Sequence, residues 1–253
     1  MQLGDVYLIT ERVKRVPARS LDALEKALGT SLPLGYREYL TRLGVGRFSG
    51  FLNVYTPQQV KEQLRYWRET LAEVIVDGME VGMYGRGVLS AEKVREAFLV
   101  AHTDNGDQFV ATPSLGQALF VIPRGSPSIR SLRRGFLDPM ACCRAVDVKD
   151  AAPWFEAENG RRRLANFAVR GSAAVVEKAL TEWWGEREIR TFGKFEAPSW
   201  GSVMSFGVRA IEGLVRIYSQ PRGGHVITAS FDKDVAGVVR AFVKAVGVSK
   251  SAK

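Results

Sequence analysis

The chain has 253 residues, 46% of them hydrophobic and 25% charged, the balance of a water-exposed globular protein with one large core or two modest ones. No run approaches the roughly 20 apolar residues that span a bilayer, and the opening MQLGDVYLIT lacks the basic flank and long apolar stretch of a secretory signal, so a cytoplasmic address is expected. The net charge of +9 is uneven: residues 1–160 hold 20 Lys and Arg against 19 Asp and Glu, residues 161–253 hold 16 against 8, which predicts two units of which only the second is basic.

Taken in order, Ser20 is the expected cap of a first helix that carries Leu21, Leu24 and Leu28 and ends at Gly29. Pro33 fits the first turn of a second helix, where Tyr36, Tyr39, Leu40 and Leu43 form one apolar stripe. Gly44, Gly46 and Gly50 punctuate a loop before a strand over Phe51 to Tyr55. Thr56-Pro57 then reads as a cap and first-turn proline, opening a helix with Val60, Leu64, Trp67 and Leu71 on one face; Trp67 is expected in the core. Residues 74–89 read as glycine-interrupted loops and short strands.

Strands at Phe98–Ala101 and Gln108–Ala111 flank the turn-rich His102-Thr103-Asp104-Asn105-Gly106-Asp107, and a further strand runs from Ala118 to Ile122. Residues 131–143 are a helical candidate, and 153–163 the expected connector between a domain at 1–152 and a smaller one at 164–248. In the second, a strand at Leu164–Arg170 precedes a helix closed by Gly185, with Trp183 on its apolar stripe and Trp184 at its edge, as an interdomain or a partner contact. A strand near Ile189 is followed by a meander of Val203–Ile211, Leu214–Tyr218 and Val226–Phe231, with Glu212-Gly213 and then Pro221, Gly223 and Gly224 at its turns. The last helix, to Gly247, carries Val235, Val238, Val239, Phe242, Val243 and Val246 on one face, and the tail from Ser249 reads as disordered. The fold class predicted for both halves is α+β: an antiparallel sheet backed by helices, followed by a second, smaller α+β unit.

Catalytic machinery is not expected. The only histidines are His102 and His225, too few for the usual zinc ligand sets even with the adjacent Cys142 and Cys143, which read as buried small hydrophobes. Nucleophile-elbow, phosphate-loop and His-Glu-x-x-His patterns are missing, and Gly44-x-Gly46-x-x-x-Gly50 has the wrong spacing and context for a dinucleotide fingerprint. Asp104-Asn105-Gly106-Asp107 offers oxygens to calcium but lacks the other ligands of a calcium loop, so it reads as a turn. No enzyme activity, metal or cofactor is therefore expected.

The stretch LPLGYREYL, with Leu32, Pro33, Tyr36, Tyr39 and Leu40, leads into Gly44 and Gly46, the FLNVY strand, the Trp67 helix and a turn with Asp104, Gly106 and Asp107. That order over residues 18–145 resembles the SUKH superfamily, which includes fungal cell-wall assembly regulators and immunity proteins of bacterial polymorphic toxin systems. Where that family has Asn-Gly-Gly, this chain has Leu43-Gly44-Val45-Gly46. The resemblance implies a single-layer sheet backed by helices, no cofactor, and a protein partner bound through one face. In bacteria the partner would be a toxin neutralised by occlusion, and the charge balance points to an acidic or neutral one. Candidate partner contacts are Arg47, Phe48, Tyr55, Tyr84, Asp104, Asp107 and Trp184. The alternative is an adaptor whose basic second unit binds nucleic acid. Its cations would be Arg161-Arg162-Arg163, Arg187, Arg190, Lys194, Arg209, Arg216 and Arg222, interleaved with Phe192, Phe195, Trp200 and Tyr218.

Overall fold

The computed structural model describes residues 2–84, 88–148, 151–158, 160–169, 173–185, 189–197, 201–219, 225–245 and 249–250. The fold is α+β, and the chain divides into two compact units, one of residues 1–8 and 13–158, the other of 9–12 and 159–253. The sequence candidates Arg170, Arg187, Trp200, Pro221, Arg222, Gly223, Gly224 and Val246 lie outside the described residues.

In the first unit, strand β1 (Tyr7–Leu8) is followed by α1 (Ala18–Leu28) and α2 (Tyr36–Arg42). Helix α1 begins after Pro17 and ends on Gly29 with φ +67°, a left-handed cap. Helix α2 starts later than Pro33 predicts, because Gly35 at φ +78° supplies the entry turn; an added Cβ there would overlap the backbone of Leu137. Tyr36, Tyr39, Leu40 and Leu43 are all buried, as the stripe requires. The glycine-punctuated stretch expected as a loop is a hairpin. Strands β2 (Gly46–Phe48) and β3 (Leu52–Val54) pair across a turn in which Ser49 and Gly50 both have positive φ.

Helix α3 (Pro57–Tyr66) opens on Thr56, whose side chain accepts from the Gln59 amide while Gln59 reaches back to the Thr56 amide. It runs through a π-helical turn, Trp67–Leu71, straight into α4 (Ala72–Glu80). Residues 74–80 are thus helical, and glycine at 78 serves packing: the Tyr84 ring folds back onto it. The combined helix serves two cores, Val60 and Leu64 in one, Trp67, Ile75 and Val76 in the other. Trp67 is fully buried and donates from Nε1 to the Val94 carbonyl at 3.1 Å.

Helix α5 (Ala91–Glu96) leads into β4 (Phe98–Thr103), β5 (Gln108–Ala111), β6 (Leu119–Ile122) and β7 (Arg130–Leu132). Within the candidate helix 131–143, only α6 (Pro139–Ala145) is regular helix; its start is set by the Asp138 cap, and residues 130–132 pair with β6. The expected connector contains β8 (Trp154–Ala157), which sits inside the first sheet between β1 and β2, and the division between the units, after Glu158, falls within 153–163. Among the described residues the sheet order is β1-β8-β2-β3-β4-β5-β6-β7, antiparallel as expected apart from the parallel pairing of the short β1 with β8. Helices pack on both faces. One face meets α1, α2 and α6 through Phe48, Leu52, Phe109 and Phe155, and part of the other meets α4 and α5 through Leu99, Val110, Phe120 and Ile122.

The second unit comprises β9 (Arg162–Val169), α7 (Ala173–Trp184), β10 (Ile189–Ala197), β11 (Gly201–Val208), β12 (Gly213–Ser219), β13 (His225–Asp232), α8 (Ala236–Ala245) and β14 (Ser249–Lys250). Its strand order is β10-β11-β12-β13-β9-β14. Ser249–Lys250, expected as disordered tail, pairs with β9. Val176 and Leu180 of α7 and Val239 and Phe242 of α8 share one core with Phe206, Val208, Val215, Ile217, Ile227, Ala229 and Phe231, alternate residues on a single sheet face. Residues 9–12 also belong here. Buried Thr10 donates to Glu212 at 2.6 Å, and Arg12 lies 3.5 Å from Glu212 and 3.6 Å from Asp232.

Candidate functional site

Strand alternation in the first unit places one row of side chains on the face away from α1, α2 and α6. Register aligns Glu156 of β8 with Arg47 of β2, Arg47 with Asn53 of β3, Asn53 with His102 of β4, and His102 with Gln108 of β5. The next partner, Ile122 of β6, is already buried under the α4–α5 layer. The helices therefore cover only one end of this face, and the β8–β5 end forms a polar ledge beside them. Tyr55 and Asp104 share the ledge, each two residues from a row member.

Hydrogen bonding organises the ledge around Asp104. Arg47 Nη1 donates to Oδ2 at 3.2 Å and Asn53 Nδ2 to Oδ1 at 2.9 Å, and Asn53 also donates to the Phe51 carbonyl. The Tyr55 and His102 rings lie 5.0 Å apart at 33°. Burial lowers the His102 pKa, an effect opposed by Asp104 and reinforced by Arg47. Its Nδ1 is buried without a partner among the described residues, as is Gln108 Oε1. The Gln108 Nε2 donates to the Gly106 carbonyl at 3.2 Å, which fixes the amide so that oxygen is the free end.

Of the expected partner contacts, Arg47, Tyr55 and Asp104 come together here. Phe48 does not: it points to the opposite face and is fully buried in the core. Asp107 is also corrected, since it is buried, accepts from Thr103 Oγ1 and from the Arg124 amide at 2.9 Å, and holds the β4–β5 turn. Tyr84 packs against Gly78 and the α4–α5 core. In the second unit, Trp184 stacks on Phe242 at 4.3 Å and belongs to that core, whereas Trp183, expected inside, is 44% exposed. Trp184 is thus partly buried against the core of its own unit, with Nε1 unpartnered among the described residues.

The ledge residues that sequence reasoning missed are Asn53, His102, Gln108 and Glu156. Alternation within FLNVY marks Asn53 as the outward residue, but only strand register shows that the others align with it. Chemically the ledge offers acceptors, one bound guanidinium and an aromatic wall. Among the described residues no group of three or more His, Cys, Asp and Glu is placed to hold a metal ion.

Of the described cations of the basic unit, Arg190 and Arg216 share the sheet face away from the Phe206 and Val208 core. Arg163 and Arg190 are exposed on the sheet, Lys178 on α7, and Arg240 and Lys244 on α8. No described helix is long and apolar enough to cross a membrane. No family model matches this chain, and no curated protein sequence matches it.

Proposed function

We propose that the chain is a non-catalytic protein-binding module of SUKH type, acting as an immunity protein that occludes a toxin in the cytoplasm. The polar ledge carries this reading: a half-uncovered sheet face, with an aromatic pair at its foot and fixed hydrogen-bonding groups, suits recognition by shape and polarity. Reactive groups of the chain instead hold structure. Asp107 holds the β4–β5 turn, Asp138 caps α6, and Cys142 and Cys143 are buried in the core, where burial raises the Cys142 thiol well above its ordinary pKa.

Co-expression with each neighbouring open reading frame, scored for rescue of growth, tests the reading. Rescue by the wild-type chain, lost in Asn53→Arg with the fold retained, supports it. Rescue untouched by ledge substitutions, or substrate turnover abolished by a single replacement, overturns it.

A further inference from the structure

We infer that the chain forms a two-fold dimer in which the outer side of α3–α4 packs antiparallel against that of a second copy. The inference uses neither the ledge nor the binding reading above. A surface helix ordinarily buries one apolar stripe and keeps its other side polar. This one carries two. Val60, Trp67, Ala72, Ile75 and Val76 enter the cores, whereas Tyr66, Val74, Val81 and Met83 are between 51% and 75% exposed. The π turn Trp67–Leu71 takes up the extra residue that offsets the drift of an α-helix, which keeps Tyr66 in line with Val74. Gly78 lies between Val74 and Val81 on the same side, and Met83 folds back to it: its amide donates to the Gly78 carbonyl at 2.8 Å and its sulfur stands beside the glycine. The result is an apolar line roughly 20 Å long, not a scatter of single side chains.

Charge along the helix selects the occupant. The first half carries Lys61, Arg65 and Arg68 against Glu62 and Glu69, and the second carries Glu73, Asp77 and Glu80 with no cation of its own. Among the described neighbours on α5, Arg95 pairs with Glu73 at 2.8 Å and feels Asp77 and Glu80, and Lys93 is taken by Glu96. The second half therefore remains acidic, three carboxylates to one guanidinium. Arg65 is held only by Glu69, in a pair exposed at both ends and readily exchanged. A two-fold axis beside Val74 sets the basic half of each copy against the acidic half of the other, with Tyr66 of each near Val81 and Met83 of the other. A parallel pair would set like charge against like. A uniformly basic or uniformly acidic segment would suit one half and be repelled by the other, so the helix is complementary to itself.

Sedimentation equilibrium of the full chain is expected to show a reversible dimer with a Kd on the order of 10 μM, because two helices of this length bury less than a standard interface. Val74→Asp, at an exposed position that neither core uses, weakens the dimer about tenfold or more, while Val238→Asp on the exposed side of α8 leaves it unchanged. Arg65→Glu and Glu80→Arg each weaken self-association. An equimolar mixture of those two variants restores it, since every mixed pair regains a cation opposite a carboxylate at both ends. A monomer at all concentrations, a dimer indifferent to Val74→Asp, or a mixture no tighter than its parents overturns the inference.

Discussion

Replacing Asp232 with asparagine gives the sharpest energetic test of the second unit. The Asp232 side chain is 2% exposed and accepts from Arg161 Nε at 3.0 Å, Arg161 Nη2 at 3.3 Å and the Asp234 amide at 3.0 Å. These bonds, the Arg161 pair foremost, hold its pKa down to about 2 from 3.8. The folded state thus binds a proton less readily than the unfolded chain, so the stabilisation is present above about pH 4 and fades as pH falls through 2. A shift of that size corresponds to about 2 kcal/mol, an upper figure because Arg161 is a third exposed and its charge is screened. About half is gone by pH 3.

Native-state hydrogen exchange on β12 and β13 amides reads the second unit alone. Asp232→Asn is expected to lower their protection by about 2 kcal/mol at pH 7, with the gap to wild type halved at pH 3. A gap that stays constant from pH 7 to pH 3, or no gap at pH 7, refutes the reasoning.

Tyr39→Phe is expected to leave the first unit unchanged or stabilise it by up to about 1 kcal/mol in urea unfolding, because the Tyr39 hydroxyl is buried without a partner among the described residues; a clear loss would contradict this. Gly35→Ala should cost the same unit about 2 kcal/mol or more, since φ is +78° and the new Cβ would overlap the Leu137 backbone, and a wild-type melting temperature would count against it. For the second unit, Thr10→Val should cost about 1–2 kcal/mol through the lost bond to Glu212. Arg12→Ala, more than half exposed, should cost less than about 1 kcal/mol, and the reverse order in hydrogen exchange would show that the segment is held by charge.

Local chemistry made much of the fold legible. The Thr56-Pro57 cap, the Gly29 stop, the tyrosine stripe of α2 and the β11–β13 meander all follow from residues within a few positions of one another. What failed was decided at long range. Gly78 reads as a helix breaker yet stays helical because Tyr84 folds onto it. Trp154–Ala157 lies in a proline- and glycine-flanked stretch and becomes a strand because β1 and β2 pair with it from distant parts of the chain. Residues 9–12 join the second unit through Glu212 and Asp232, partners some 200 residues away in sequence. The ledge was half legible for the same reason. Arg47, Tyr55 and Asp104 could be picked by type, but their neighbours are assembled by register. Phe48, adjacent to Arg47, points the other way because successive strand residues alternate faces.

Site-directed photo-crosslinking in cells tests the central claim most directly, with p-benzoylphenylalanine placed at Arg47 on the ledge or at Lys26 on the exposed side of α1. The account predicts a discrete protein adduct from position 47 and none from position 26. Adducts of equal yield from both positions, or from position 26 alone, would contradict it.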